Sequence, residues 1–272
     1  MKFPGKVAVV TGASSGIGRA ISIALAAEGC KLVLAARNAE KLQETARLCR
    51  ERGIEAIVAE TDVSVEDDCR RLISTAVQHF QKIDILVNNA GISMRALFED
   101  TELSVIKRVM DINFWGAVYC TKYALPHLLQ ARGSLVGVSS IAGYVGLPAR
   151  SGYSSSKFAL NGFLECIRTE NLHKGLHVLI LAPGFTASGI REQALNASGK
   201  SQQESPRKEE KMMQPEEVAR QMIISLVKRE DTRLLTVQGK LTVLLKKFFP
   251  GFIKRKSYDV MAGEPDSPLR KA

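Results

Sequence analysis

The sequence predicts a single α/β domain of the doubly wound class, in which a parallel seven-stranded sheet carries helices on both faces. Short β-branched or apolar runs alternate with longer segments of helical apolar spacing along most of the chain. The runs are almost continuously apolar, as expected for strands that are buried on both faces of a parallel sheet. A length of 272 residues suits one large domain of this kind.

The predicted elements follow one another in strict alternation. The strands are Val7–Val10, Leu32–Ala35, Ala56–Ala59, Ile85–Val87, Leu135–Ser139, Val178–Leu181 and a weaker Leu234–Val237. The helices are Ile17–Ala27, Ala39–Arg52, Val65–Phe80, Leu103–Leu129, Tyr153–Leu172 and Pro215–Lys228. Ligands of such sheets bind beyond the carboxyl ends of the strands, so we expect the functional site at that edge.

Two segments depart from the alternation. Residues 187–214 are polar and include the charged run Arg207–Lys211, and we expect a mobile lid there. The main domain is therefore assigned to residues 1–239 and a basic amphipathic tail to residues 240–272. Such a tail suits weak contact with an anionic membrane. Because Pro250-Gly251 interrupts any long surface helix, we favour the alternative that its apolar face covers the pocket or another subunit.

Composition narrows the functional class. The net charge of +10 would suit a protein that binds nucleic acid. However, the sequence contains no nucleic-acid recognition motif, and the excess positive charge lies mainly in the tail. The chain has five cysteines, an odd number, and no two of them are close in sequence. This pattern argues against a disulfide framework and against a metal site. No run is long enough to cross a bilayer and no signal peptide is recognised, so we expect a cytoplasmic protein with reduced thiols.

A glycine-rich segment, Thr11–Gly18, follows the first strand and opens the first helix. Gly12 permits a tight turn, Gly16 lets the backbone approach a pyrophosphate, and Gly18 lets the helix lie close to the strand. Amides at the helix start then face the phosphates. This context favours dinucleotide binding over a ligand-free turn. The loop residues expected at the cofactor are Gly12, Ser14, Ser15, Gly16, Ile17 and Gly18.

The end of the second strand indicates which dinucleotide binds. An NAD enzyme carries an acid there, whereas Arg37 followed by Asn38 accommodates the 2′-phosphate of NADP(H). The alternative is that Arg37 is a solvated surface charge. Asp62, after the third strand, is expected either to accept a hydrogen bond from the adenine amino group or to cap the next helix.

Tyr153 and Lys157 are four residues apart and share one helix face. Lowering a tyrosine pKa from ~10 to ~7 requires roughly 4 kcal/mol, and an ammonium ~4 Å away supplies about as much. The pair can therefore act as a general acid/base. Ser140 ends the fifth strand and can hold a substrate oxygen beside the phenol. The carboxamide of Asn113 is placed to anchor a water that links Lys157 to solvent.

With these motifs together, the sequence resembles the short-chain dehydrogenase/reductase family over roughly residues 5 to 190. The motifs are Thr11–Gly18, Asp62-Val63, Asn88–Gly91, Asn113, Ser139-Ser140, Tyr153–Lys157 and Pro183-Gly184. The resemblance implies a Rossmann-type fold in which Tyr153 is the acid/base, Lys157 binds the ribose, Ser140 orients the substrate and Asn113 holds the relay water. It places Asn89, Ala90, Gly91, Val63, Pro183, Gly184 and Thr186 at the cofactor.

Within that family the chain is similar to the 11β-hydroxysteroid dehydrogenase-like and dehydrogenase/reductase member 7-like groups. Arg37, the Pro183–Thr186 segment and the basic tail carry this similarity. Members of the family usually form homodimers or homotetramers through the helices that hold Asn113 and Tyr153. The resemblance implies no metal.

The predicted function is an NADP(H)-dependent oxidoreductase that interconverts a hydrophobic ketone or aldehyde and its alcohol. The residues expected at the substrate are Ser93, Met94, Ser140, Tyr144, Phe185 and Ile190, together with the lid. Core packing is the alternative for Met94 and Phe185. One alternative function is a 3-oxoacyl thioester reductase that acts on an acyl carrier. Another is an NADP-sensing regulator without turnover, which the presence of both Tyr153 and Lys157 disfavours.

Overall fold

A computed structural model describes residues 1–205 and 212–270. Its centre is a seven-stranded parallel sheet with the order β3-β2-β1-β4-β5-β6-β7. The strands are β1 Val7–Thr11, β2 Lys31–Ala36, β3 Ala56–Glu60, β4 Ile85–Asn88, β5 Ser134–Val138, β6 His177–Ala182 and β7 Thr232–Leu234. The predicted fold class is therefore confirmed. The last strand was placed too late, because Thr236 caps a helix that begins at Val237.

Helices cover both faces of the sheet. They are α1 Gly16–Ala27, α2 Ala39–Arg50, α3 Glu66–Phe80, α4 Leu103–Met110, α5 Gly116–Gln130, α6 Ser151–Glu170, α7 Pro215–Lys228, α8 Val237–Phe248 and α9 Pro250–Ala262. A π-helical turn, Asp111–Trp115, joins α4 to α5, so the predicted helix Leu103–Leu129 is continuous but carries an extra residue in one turn.

The apolar side chains of the strands alternate between two cores. Ala8, Val10 and Leu32 pack on one side of the sheet, and Val9 and Val33 pack on the other. All five residues of β1 are buried, which accounts for its unbroken apolar sequence. The sheet is thus double-sided, and its functional groups lie at a strand end rather than on a face.

The strand order reverses next to β1. The chain moves outward from β1 through β2 to β3, then returns so that β4 pairs with the opposite edge of β1. Loops that follow β1 and β4 therefore diverge and leave a crevice between them. This crevice opens at the carboxyl ends of the strands, where the sequence predicts the site.

The two irregular segments differ in structure. Residues 187–205 consist of turns and isolated bridges, including Met94 to Leu195, while the charged run Arg207–Lys211 of the predicted lid lies outside the described residues. The tail folds as α8 and α9, and the break at Phe249 falls where Pro250 interrupts the helix, as predicted. No helix in residues 1–205 or 212–270 has both the length and the apolar content to cross a bilayer. The division at residue 239 stays a prediction.

We predict that Gly18→Ala lowers the free energy of unfolding by about 2 kcal/mol or more. A Cβ at Gly18 would lie 2.1 Å from the Gly12 carbonyl oxygen, so α1 would have to move away from β1. Urea unfolding measures the change. The matched control is Gly162→Ala, in an exposed part of α6 where a Cβ meets nothing within 4 Å. That control should stabilise the chain by about 0.5–1 kcal/mol, and equal effects of the two substitutions would contradict the prediction.

Candidate active site

A cavity of about 1050 Å³ lies at the carboxyl edge of the sheet. It runs from the glycine-rich loop after β1 to the tail helices α8 and α9. Every residue that the sequence places at the cofactor lines this cavity: Gly12, Ser14, Ser15, Gly16, Ile17, Gly18, Arg37, Asn38, Asp62, Val63, Asn89, Ala90, Gly91, Tyr153, Lys157, Pro183, Gly184 and Thr186. The fold thus brings together segments that are far apart in the chain.

The glycine-rich loop is held in place by Asn89. Its side-chain amide donates to the backbone carbonyls of Thr11 (2.9 Å) and Gly12 (3.3 Å). The Thr11 hydroxyl in turn accepts from the amides of Asn89 and Ala90. Gly12 has a φ of +66°, and a Cβ there would lie 2.8 Å from the Asn89 amide nitrogen. The loop therefore presents backbone to the cavity, as a dinucleotide cradle requires.

The first residues of the predicted lid lie against this loop. A Cβ at Gly16 would be 2.9 Å from the Ser188 carbonyl oxygen. Arg191 is buried and donates to the Thr186 carbonyl oxygen at 2.7 Å, which ties the segment to the end of β6. Ser188 and Arg191 both line the cavity, as expected of the lid, although neither was singled out from the sequence.

The opposite end of the cavity holds Arg37 and Asn38 after β2. Both are exposed, and Asn38 caps α2 by accepting from the Lys41 amide at 2.8 Å. Lys41 also lines the cavity and was not predicted, although it follows Arg37 by one helical turn. Two cationic side chains therefore flank this end, and Asp62 is the only acid along the lining in the described part of the chain.

Asp62 does not cap α3, so that alternative was wrong. The N-cap of α3 is Val65, and Asp62 instead accepts from the amide and the hydroxyl of Ser64 at 3.0 and 2.7 Å. Burial opposes ionisation of Asp62, but these hydrogen bonds and the charges of Arg37 and Arg108 bring its pKa below the ordinary value. Asp62 is therefore an anionic acceptor at the wall of the cavity.

Ser140, Tyr153 and Lys157 meet at the carboxyl end of β5. The Ser140 hydroxyl acts on the Tyr153 hydroxyl and lowers the pKa of the phenol. The Lys157 ammonium nitrogen donates to the Val138 carbonyl oxygen at 2.8 Å and lies 5.9 Å from the centre of the Tyr153 ring. Three of the four predicted catalytic side chains thus reach one wall of the cavity.

Two pKa shifts in this group run against ionisation. Burial raises the pKa of Tyr153, and the Ser140 hydrogen bond with the charges of Arg150 and Arg191 offsets only part of that rise. Burial also lowers the pKa of Lys157 to about 8. In this structure burial therefore outweighs any effect of Lys157 on the phenol, and a phenol pKa near neutrality with an oxidised nicotinamide bound stays a prediction. The lysine lies over the aromatic ring and bonds a backbone carbonyl, while desolvation dominates at the hydroxyl.

Asn113 lies in the π-helical turn and does not line the cavity. Its carboxamide oxygen accepts from the Ile92 amide at 2.8 Å. Its amide group donates to the Ile92 carbonyl and to the Ser156 hydroxyl, each at 2.9 Å. These bonds fix the segment after β4 against α6. The water-holding role stays a prediction, and the structure adds a positioning role.

The structure brings some predicted substrate residues to the cavity and excludes others. Ser93, Phe185 and Ile190 line it, together with Ser140. Met94 does not; it is fully buried beside Val105 and Leu195, so core packing is the correct interpretation. Tyr144 does not either, because it packs with the core on the α3, α5 and α6 side of the sheet. Met94 follows the lining residue Ser93 directly, yet its own side chain lies in the core. Proximity along the chain to a residue of the cavity lining is therefore not enough to predict a lining residue.

The tail contributes to the cavity lining, although the residues that do so were not identified from the sequence. The inner face of α9 lines the cavity through Ile253, Ser257, Val260 and Met261, and Thr236, Gln238 and Thr242 line it from α8. The four α9 positions follow an i, i+4, i+7, i+8 spacing, which is a helical face that the sequence displays. This arrangement is the favoured alternative for the tail, in which its apolar face covers the pocket.

Comparison with known proteins gives the class. The family described as short chain dehydrogenase matches residues 6–198. The chain therefore belongs to the short-chain dehydrogenase family, as its motifs predicted, and within it resembles the 11-beta-hydroxysteroid dehydrogenase-like group. A protein from Arabidopsis thaliana named 11-beta-hydroxysteroid dehydrogenase 1A is 43% identical over 190 residues, which are 69% of this chain and 54% of the relative. The chain spans about half the length of this relative and of the related 11-beta-hydroxysteroid dehydrogenase 1B.

Two solved structures share the fold. A short-chain dehydrogenase/reductase from Burkholderia phymatum, in complex with NAD, has a TM-score of 0.81 at 26% identity and covers 93% of this chain and 96% of its own. An alcohol dehydrogenase from Thermococcus sibiricus, in complex with 5-hydroxy-NADP, has a TM-score of 0.75 at 26% identity and covers 85% and 95%. Nicotinamide dinucleotides of both kinds thus occur among the similar structures.

We predict that wild-type stability rises relative to Lys157→Met as pH rises from about 8 to about 10.5. Between the lowered pKa of the folded chain, about 8, and the ordinary value of 10.5, the unfolded chain binds more protons. The full difference is about 3 kcal/mol at about 1.4 kcal/mol per pKa unit. Urea unfolding of both chains across this range, without added dinucleotide, measures it. If the free energies of unfolding of the wild type and Lys157→Met changed in parallel with pH, the prediction of a buried lysine with a lowered pKa would be contradicted.

Proposed function

We propose that the protein is an NADP(H)-dependent oxidoreductase that reduces a hydrophobic ketone or aldehyde, or oxidises the corresponding alcohol, with Tyr153 as general acid/base. The observation that carries the proposal is one cavity in which the glycine-rich loop and the Ser140, Tyr153 and Lys157 side chains meet. The residues fit a dinucleotide, because Gly12, Gly16 and Gly18 line the cavity with bare backbone, and Cβ atoms at Gly12 and Gly18 would clash with the packing that holds the loop in place. A bound nicotinamide supplies or accepts the hydride.

The side chains of this chain handle the proton. Ser140 holds the substrate oxygen beside the Tyr153 hydroxyl, since both side chains line the cavity at the end of β5. Because burial raises the pKa of Tyr153, the phenol is protonated near neutral pH and is ready to donate. This supports carbonyl reduction as the direction that the chain favours. Lys157, with a pKa of about 8, can exchange protons close to neutrality behind the phenol.

Arg37 supports NADP(H) over NAD(H). It lines the cavity at the end of β2, where NAD enzymes carry an acid, and the first acid after β2 is Glu40. A guanidinium pairs with a 2′-phosphate through two charge-assisted hydrogen bonds. Lys41 lines the cavity on the next helical turn and adds a second positive charge.

The lining at the other end supports a hydrophobic substrate. Apolar side chains from three separate segments lie there: Leu147, Phe185, Ile190, Ile253, Val260 and Met261. The lining also includes Arg150 and Arg191. An apolar wall with a few polar groups beside it suits a ketone or aldehyde with an apolar body.

One observation favours a second candidate, reduction of a 3-oxoacyl thioester on an acidic carrier. Lys256 is exposed at the cavity and forms no ion pair with any described residue. Lys254 and Arg255 precede it, so the entrance is basic. Turnover of an acetoacetyl thioester, with loss of that turnover alone after Lys256→Gln, would support this candidate; no turnover would exclude it. A non-catalytic NADP sensor would instead bind NADPH without any turnover.

Self-association and membrane contact remain proposals. Trp115 (44% exposed) and Phe158 (42% exposed) project from the π-turn and α6, and support pairing of two or four copies there. The outer face of α8 and α9 exposes Leu241, Leu244, Phe248, Phe249 and Phe252, which supports weak contact with an anionic bilayer. Light scattering of Trp115→Ser tests the first, and flotation with and without anionic lipid tests the second.

A cytoplasmic location is also proposed. All five cysteines lie within the described residues, none is in a disulfide, and four are buried. Reduced thiols of this kind suit a reducing compartment. Localisation of a tagged full-length chain in its own host tests it.

We predict that Tyr153→Phe lowers kcat for carbonyl reduction by about 10²–10⁴-fold, because the variant has no proton to donate. NADPH oxidation, followed by nicotinamide absorbance with a panel of ketones and aldehydes, measures it. The Kd for NADPH, from fluorescence titration, should change by less than about twofold because the backbone loop that binds phosphate is untouched.

Tyr119→Phe is the matched control, since Tyr119 stacks on Trp115 outside the cavity. It should keep wild-type kcat. Normal turnover by Tyr153→Phe would overturn the assigned chemistry, and wild-type binding of NADPH without turnover of any carbonyl would favour the sensor.

We predict that Arg37→Gln lowers kcat/KM for NADPH by about 10–100-fold and leaves that for NADH nearly unchanged. Loss of hydrogen bonds to a charged group costs about 1.5–3 kcal/mol, and about 1.4 kcal/mol corresponds to tenfold. Steady-state kinetics with each dinucleotide at one carbonyl concentration measure the ratio. Arg52→Gln, an exposed arginine beyond α2 that does not line the cavity, is the control. Equal losses with NADH and NADPH would contradict 2′-phosphate recognition.

A further inference from the structure

A buried ionic cluster joins the end of the chain to the site. Glu264, only 3% exposed, follows α9 directly. Its carboxylate accepts from the Arg150 guanidinium at 3.0 Å and lies 3.5 Å from Nε of Arg95. Both arginine side chains are also nearly inaccessible. A carboxylate at this depth is tolerated only where cations compensate it, so the three groups depend on one another.

The cluster ties three distant parts of the chain together. Arg95 lies in the loop after β4, Arg150 immediately precedes α6, and Glu264 follows α9. Arg95 also donates to the Pro265 carbonyl, and the Ser267 hydroxyl donates to the Met261 carbonyl at 2.8 Å. The residues after α9 are therefore folded back and fixed, rather than left to fray as chain ends commonly do.

What this attachment holds in place is a wall of the cavity. Ile253 and Met261 are 5% and 2% exposed and line the cavity from the inner face of α9. The outer face of α8 and α9 carries exposed apolar and basic side chains instead. Few other buried residues anchor α9, because the cores on the two faces of the sheet contain none of its residues. The position of this wall thus depends strongly on the Glu264 cluster.

We propose that Glu264 is a positioning residue that holds α9 against the cavity and thereby sets which carbonyl substrates fit. The effect on substrate choice rests on the proposed function, whereas the attachment of α9 by Glu264 does not. Arg150 contributes to the same cavity lining and lies three residues before Tyr153. The cluster therefore connects the apolar wall on α9 directly to the segment that carries the phenol. The size of the carbonyl substrate that fits is thus set by the Glu264–Arg150 ion pair, which does not itself contact the reacting atoms.

The test compares Glu264→Gln with Asp259→Asn, which removes an exposed carboxylate from α9 itself. The substrates are acetonaphthone, which needs the apolar wall, and butanal, which does not. For Glu264→Gln, kcat/KM for acetonaphthone should fall by about tenfold or more through KM, since apolar contacts in a pocket discriminate by about 10–200-fold. The value for butanal and the Kd for NADPH should stay within about threefold of wild type. Asp259→Asn should match wild type throughout.

Hydrogen exchange gives a second measurement that does not need turnover. Amides of α9 should exchange at least about tenfold faster in Glu264→Gln than in Asp259→Asn, while amides of β1 keep their protection. If Glu264→Gln does not fold, Arg95→Met loosens the cluster more mildly, because the Glu264 and Arg150 charges still balance. The same changes, smaller in size, are expected of it.

Unchanged exchange in α9, or equal loss of kcat/KM for both carbonyls, would overturn the proposal. Faster exchange with an unchanged preference between the two carbonyls would overturn its claim on selectivity. A wild-type chain that turns over no carbonyl would overturn the proposed function, and the exchange measurement would then decide the role of Glu264 by itself. The two failures are therefore distinguishable.

Discussion

Burial of two titratable side chains at the carboxyl end of β5 is the constraint on which the site depends. Tyr153 and Lys157 are both held where water is scarce, and each is displaced toward its neutral form, the phenol by a raised pKa and the ammonium by a pKa lowered to about 8. The chain bears the energetic cost of this desolvation in its folded state. A protonated phenol and a lysine that titrates close to neutrality therefore meet at one wall of the cavity.

The doubly wound sheet makes that burial feasible. Because strand order reverses at β1, loops after β1 and β4 separate and leave a crevice into which α6 brings Tyr153 and Lys157. Polar side chains keep the crevice from collapsing: Asn89 fixes the glycine-rich loop, and Asn113 fixes the segment after β4. The end of the cavity away from Arg37 is closed by elements from outside the sheet, among them α9, to which the buried Glu264 is joined. The two ends of the cavity are thus formed by different kinds of element.

The end of the cavity near the strand ends was predicted from the sequence better than the end that α9 closes. Residues of the glycine-rich loop, the ends of β2, β4 and β6, and the start of α6 were all identified, because each is local to a strand end and strand ends share one edge. Met94 and Tyr144 were wrongly predicted to line the cavity. Neighbouring residues of a loop can point in different directions, and the sequence does not show which of them faces the cavity and which faces the core. Arg150 carries no local signal, as its role depends on a carboxylate more than a hundred residues away.

The amino-acid sequence by itself determined the sheet, its parallel direction and the chemical groups at its carboxyl edge, because apolar periodicity and short motifs act over a few residues. Only the tertiary structure decided the protonation tendencies of Tyr153 and Lys157, since desolvation depends on everything packed around them. The same holds for α9. Its inner face is visible as a helical spacing, but which surface that face covers is decided by a buried ion pair between Glu264 and Arg150, formed only when the folded chain excludes water from both.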